Sequence, residues 1–378
     1  MSSVVIIGPA HPLRGGLASF NERLARQFLS TGHRVTILTF SLQYPGFLFP
    51  GTTQYSSEPA PKDLDIRVCI HSVNPLNWIR TGLMLRRMRP DLVVVRYWLP
   101  FMGPALGTIL RFVRRLSGTR VVCIADNIIP HEKRPGDTLF TRYFIASVDA
   151  FMTMSEKVLA DLKRFNDRKP AQFVPHPLYD NFGDPMPQAE ARSALGLPAE
   201  GRLILFFGFI RRYKGLDILL EAMADPRIAE AGIRLLVAGE FYEDEAPYRA
   251  LLQRPEIGER VILRTTFIPD SQVRSYLCAA DLVVQPYRSA TQSGVTPLAY
   301  HFEVPMLVTR VGALPDMVPD GEVGIVADPT PTSVADGILR FYATGAGHFI
   351  PHIRSEKQKY TWQRVQDTLK TLADAVQK

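Results

Sequence analysis

The chain has 378 residues, 46% of them hydrophobic, with a formal net charge of +7 at pH 7. That length accommodates two domains with separate cores, and that hydrophobic content excludes a disordered chain. No apolar run approaches the roughly 20 residues of a membrane-spanning helix, no secretion signal precedes VVIIG, and Cys69, Cys123 and Cys278 lie far apart without metal or redox spacing, as in a protein of a reducing, cytoplasmic compartment.

Residues 4–7 predict a first strand, and GPAHPLRGG (Gly8–Gly16) leads from it into a helix over 16–31. Gly15 and Gly16 would let backbone approach a ligand at a helix start, where free N–H groups favour anions; the same residues also suit a plain tight turn. The spacing is not the G-x-G-x-x-G of dinucleotide binding, which weighs against a dehydrogenase. Strands follow at 35–40, 66–70, 92–95, 121–125 and 151–154, with helices at 76–88 and 104–116 and a long loop rich in Gly, Pro, Ser and Thr over 44–62. Strands apolar on both faces and separated by helices imply a parallel sheet covered on both sides. ADNIIPHEKRPGD follows the strand at 121–125 and concentrates Asp126, His131 and Glu132, candidate general bases or substrate-hydroxyl ligands on a loop at a strand's carboxyl end; an ordinary charged surface loop is the other reading.

Four prolines in 175–187 break the rhythm and mark a domain boundary. Strands resume at 203–207, 235–238, 261–263, 282–285, 306–308 and 324–326. The expected division is a first domain over 1–180, a second over 181–355, and a final helix over 356–378 that packs back on the first domain. FFGFIRRYKGLDILLEAM puts Arg211, Arg212 and Lys214 where a strand ending at Gly208 meets a helix, a place suited to a diphosphate or simply to a solvated basic loop. In PYRSATQSGVTPLAY, residues 291–295 open a helix; Gln292, Ser293 and Thr296 could bond ligand hydroxyls, and Ser293 could equally cap the helix.

In their order and spacing the GG turn, PHPLYDNF, FGFIRRYKGLDILLEAM, AADLVVQPY and VGALPDMV resemble the retaining glycosyltransferases of family four across nearly the whole chain, and a TQSG-bearing subgroup in particular. The resemblance implies a GT-B fold, α/β, with two Rossmann-like doubly wound domains facing across a cleft. It implies a retaining transferase that takes sugar from a nucleotide diphosphate sugar to an acceptor hydroxyl without a metal or other cofactor. Arg211 and Lys214, with Arg212 beside them, would grip the diphosphate; Gly15, Gly16 and Gly208 would approach it; Gln292, Ser293, Gly294 and Val295 would contact phosphate or sugar; Asp126, His131 and Glu132 would serve acceptor chemistry. Three departures stand out. The family's paired glutamates are Ala290 and Leu298 here, its Arg after the strand-ending Gly is Phe209, and its His is Asp126. The absent glutamates keep open a non-catalytic or epimerase-type nucleotide-sugar protein.

Residues 1–180 hold 23 Lys and Arg against 13 Asp and Glu, whereas 181–378 hold 21 against 24. With the basic segments 80–90 and 111–120, this suggests a saccharide or lipid-linked acceptor met at an anionic membrane surface, though both segments also read as sheet-covering helices. Aromatic–basic interleaving is missing, so no nucleic-acid partner is expected.

Overall fold

A computed structural model describes residues 2–46, 53–114, 116, 118–130, 134–290 and 293–376. The chain divides into two compact units, Met1–Pro177 with Thr361–Lys378, and Leu178–Tyr360.

The first unit carries seven parallel strands: β1 Ser3–Ile7, β2 Arg34–Leu42, β3 Asp65–His71, β4 Leu92–Tyr97, β5 Arg120–Ala125, β6 Ala150–Thr153 and β7 Ala171–Phe173, in the order β3-β2-β1-β4-β5-β6-β7. Alternation sorts the side chains. Ile7, Phe40, Val93, Val95, Tyr97 and Cys123 join one buried cluster with Leu85, Leu106, Ile109 and Phe144 from helices. Each fully buried aliphatic side chain contributes about 1.5–3 kcal/mol. Arg96 lies between Val95 and Tyr97 in β4 and so takes the opposite face.

The helix Gly16–Ser30 begins after Gly15, whose φ of 100° suits glycine, and ends where Gly32 N–H returns to Leu29 O and His33 N–H to Phe28 O. On it lies a C-terminal helix, Trp362–Asp374. The Trp362 ring is 4.8 Å from Phe20, and Gln366 Nε2 donates to Thr31 Oγ1 over 2.5 Å. The single helix expected over 356–378 is corrected. The chain forms a helix Ala346–Glu356 and a tight turn Lys357–Lys359, then starts afresh after Thr361, whose hydroxyl accepts from Arg364 N–H.

The second unit carries six parallel strands: β8 Arg202–Phe207, β9 Ile233–Ala238, β10 Val261–Arg264, β11 Leu282–Gln285, β12 Met306–Thr309 and β13 Gly324–Ala327, in the order β10-β9-β8-β11-β12-β13. Helices link the strands, as right-handed parallel crossovers require. Both units therefore have the doubly wound order in which β1 or β8 sits at the reversal point, where ligands bind beyond strand ends. No helix is long and apolar enough to cross a membrane among the described residues.

Candidate functional site

In the second unit, the turn after β8 is held so tightly that its cations have little freedom. Gly208 N–H donates to Ala238 O, Ile210 N–H to Glu240 O, and Arg212 N–H to Glu243 Oε2. Phe209 stacks on Tyr242 with centroids 4.2 Å apart. Glycine is obligatory twice. Gly208 has φ 95°, and a Cβ on it would lie 3.2 Å from Lys214 Nζ; Gly215 has φ 67°, and a Cβ on it would lie 2.0 Å from Pro286 O.

Lys214 is only 9% exposed, with its ammonium 5.8 Å from the centre of the Tyr287 ring. Arg211 sets its guanidinium 5.2 Å over Tyr242. Among the described residues neither cation has a carboxylate partner. Burial, reinforced by the Arg211 charge, lowers the Lys214 pKa to about 8. Arg212 is exposed.

The segment after β11 joins this group. Tyr287 OH is 3.1 Å from Ser293 Oγ, which accepts from Val295 N–H. Val295 Cγ2 would be 3.8 Å from a Cβ on Gly208, and Gly294 faces the Tyr179 ring. The structure thus gathers Gly208, Arg211, Lys214, Ser293, Gly294 and Val295 in one unit, with Tyr287 as the link that sequence reasoning missed; it sits two residues past β11, where a strand end signals a site. One expectation changes: Thr296 points inward and donates to Gln285 Oε1. Ser293 Oγ accepts from Val295 N–H at the start of the helix, in keeping with its alternative reading as a helix cap. Gln285 Nε2 is buried without a hydrogen-bond partner among the described residues. Gln292 lies outside the described residues. At the two positions of the absent glutamates, Ala290 and Leu298 are both buried, and Ala290 O is packed so closely on Gly312 that any Cβ there would collide.

The first unit shows the opposite electrostatics. Asp126, expected as a base, is the 7% exposed half of an ion pair: Arg96 Nε donates to Oδ2 over 2.6 Å and Nη2 to Oδ1 over 2.5 Å. Burial pushes the Asp126 carboxyl up and Arg96 pulls it down. Both carboxylate oxygens are committed, so Asp126 anchors the end of β5 instead of standing free to take a proton. Arg96 stacks 3.9 Å over Phe20, which also has the His176 ring edge-on at 5.3 Å. Burial drives the His176 pKa to about 3, so its ring is neutral, with Nδ1 facing Pro177 O at 2.7 Å. Arg96 was legible as the one charge in LVVVRY, a strand buried throughout. His131 and Glu132 lie outside the described residues.

The GG loop runs over this pair. A Cβ on Gly8 would lie 3.0 Å from Arg96 Cβ and 2.5 Å from Asn21 Nδ2, which donates to Pro9 O. Thr39 Oγ1 accepts from Ala10 N–H, and Glu22 Oε1 from His11 N–H, pinning the loop before Gly15 and the exposed Gly16.

Two family models match the chain: that for glycosyl transferases group 1 over residues 201–344 and that for the glycosyl transferase 4-like domain over residues 15–178. The chain is 25% identical over 341 residues to a D-inositol 3-phosphate glycosyltransferase of Acidothermus cellulolyticus, covering 83% of this chain and 75% of that one. It is 25% identical over 261 residues to a putative teichuronic acid biosynthesis glycosyltransferase, TuaC, of Bacillus subtilis, covering 68% of this chain and 62% of that one. Against several such relatives the chain spans less than two thirds of their length. Among solved structures, the Anabaena protein HepE in complex with UDP-glucose superposes with a TM-score of 0.75 at 14% identity, covering 98% of this chain and 99% of that one.

Proposed function

We propose, for a chain that belongs to the glycosyltransferases of GT-B type, that it moves a sugar from a nucleotide diphosphate sugar to the hydroxyl of a saccharide or lipid-linked acceptor in bacterial polysaccharide or glycolipid assembly, in the cytoplasm. The observation that carries this reading is the buried Lys214 ammonium beside Arg211, without a carboxylate partner among the described residues, at the turn after β8. A buried cation is costly unless an anion meets it, and a diphosphate supplies one.

In the proposed reaction the bond from anomeric carbon to diphosphate oxygen breaks, the acceptor oxygen forms its bond on the same face, and the acceptor proton passes to the departing phosphate. Configuration is retained. Lys214 and Arg211 neutralise the charge that develops on the leaving group, a part a divalent cation plays elsewhere. In the first unit, the Arg96–Asp126 pair and the pinned GG loop hold the start of the helix Gly16–Ser30 in a fixed place.

The test is a thermal-shift screen with UDP, GDP, ADP and their sugars, followed by turnover with and without chelator and NMR of the product anomer. A stabilising nucleotide sugar, chelator-resistant turnover and a retained anomer are expected. Inverted product would reject retention; chelator-sensitive turnover would reject the cationic role. Binding without transfer or donor hydrolysis would favour a non-catalytic binding protein, the reading that Ala290 and Leu298 support. Release of a free epimer without acceptor would favour an epimerase.

A further inference from the structure

The helix Pro75–Met88 covers one edge of the first sheet, and its two faces differ sharply. The inner face is fastened by polar and apolar contacts alike. Asn77 Nδ2 and Thr81 Oγ1 both donate to Cys69 O, Trp78 Nε1 donates to His71 O, Leu85 is fully buried, and Gly82 lies so close to the Phe112 ring that a Cβ would be 2.3 Å from it. These contacts fix which way the helix is turned.

The outer face is then apolar where solvent is expected. Leu76 is 78% exposed, and Leu83, seven residues on, lies in line with it and is exposed too. Ile79 flanks this row on one side with Arg86; Arg80 and Arg87 flank it on the other. All six side chains are exposed. From Ser72 to Arg120 there are nine arginines and one acidic residue, Asp91, whose carboxylate is held by Ser3 N–H. The neighbouring basic segment at 111–120 contributes differently: Arg111 places its guanidinium over the Tyr143 ring and donates to Gly107 O and Tyr143 O.

We propose that this outer face docks on an anionic lipid bilayer, with Leu76, Ile79 and Leu83 entering the headgroup boundary and Arg80, Arg86 and Arg87 meeting lipid phosphates. The charge decides the occupant. A row of leucines alone would fit any apolar partner, but leucines framed by arginines with no acid on the helix match a surface that is apolar beneath and negative above. The inference is independent of the sugar-transfer reading.

Vesicles of phosphatidylcholine alone and of phosphatidylcholine mixed with phosphatidylglycerol test it by flotation of the full chain. Association with the mixed vesicles only, falling as salt rises, is expected. The triple variant Arg80→Gln, Arg86→Gln, Arg87→Gln should weaken it about a hundredfold, at roughly fivefold per arginine. The variant Leu76→Ser, Ile79→Ser, Leu83→Ser should abolish flotation while leaving the melting temperature and nucleotide thermal shift unchanged, because these side chains lie outside both the core and the donor site. Equal flotation with neutral vesicles, none with anionic ones, or undiminished flotation of either variant would overturn the proposal. So would a dimer in light scattering that the serine variant dissolves, with no lipid association.

Discussion

The two units solve opposite electrostatic problems near the carboxyl ends of their strands. In the first, Arg96 is met by both oxygens of Asp126 and covered by Phe20. In the second, Lys214 and Arg211 are set side by side and face no carboxylate among the described residues. A buried charge with an internal partner belongs to the architecture; a buried charge without one is a place prepared for something that arrives later. The same residue types thus mark scaffold in one unit and site in the other, and only the partner tells them apart.

The sharpest way to break this contrast is to remove one half of the closed pair. Asp126→Ala leaves Arg96 buried and uncompensated, so unfolding free energy should fall by about 3–5 kcal/mol, measured by denaturant titration. An unchanged midpoint would show that the pair is not structural. The open site should behave the other way. Lys214→Met removes a cation whose pKa is held down from 10.5 to about 8, a penalty on the order of 3 kcal/mol at neutral pH, so Tm should hold or rise. Affinity for the nucleotide sugar should meanwhile drop by roughly tenfold to a hundredfold in calorimetry, the worth of one charged hydrogen bond. Loss of Tm with unchanged affinity would assign Lys214 to the scaffold.

A smaller effect concerns pH. The folded ammonium loses its proton near pH 8, and a diphosphate prefers the charged form, so nucleotide affinity should be full below pH 8 and decline as pH rises through it. The groups facing Lys214 are Arg211 and Tyr287, with Tyr213 beside Tyr287; burial raises both phenols above their ordinary values, so neither titrates in that window. Because Arg211 pushes the Lys214 pKa down, Arg211→Gln should move the decline to higher pH while lowering overall affinity. The smallest expected change is in the first unit's last helix. Thr361→Ala removes the cap on Arg364 N–H and should cost about 1 kcal/mol in the first unit's unfolding, with no change in nucleotide binding.

Much of this was readable before any coordinates. The strands are short apolar runs between helices, so their period placed them within a residue or two, and the glycine-then-cations order pointed to the turn after β8, where the structure sets Lys214 and Arg211. Three-residue β7 escaped because Pro170 and Pro175 enclose a run too short to show a period. Asp126 was taken for a base because its partner is 30 residues away, and a linear pattern does not reveal who neutralises whom. Thr296 faced the ligand in sequence and faces Gln285 in three dimensions, since a single hydroxyl in the first turn of a helix carries no sign of which side it takes. The break before Trp362 was hidden because residues 356–378 read as one helical stretch until Thr361 is seen to accept the Arg364 amide.

The helix Trp362–Asp374 belongs to the first unit although the whole second unit lies between it and Pro177 in the chain. On a ribosome the order of completion is therefore inverted. The second unit has all its residues once Tyr360 has emerged, while the earlier-made sheet, with Phe20 and Phe28 on the helix that Trp362 covers, must wait uncapped until Trp362–Asp374 has been made. A premature stop after Tyr360 would release a molecule whose second unit is whole and whose first unit still shows bare aromatic surface to chaperones.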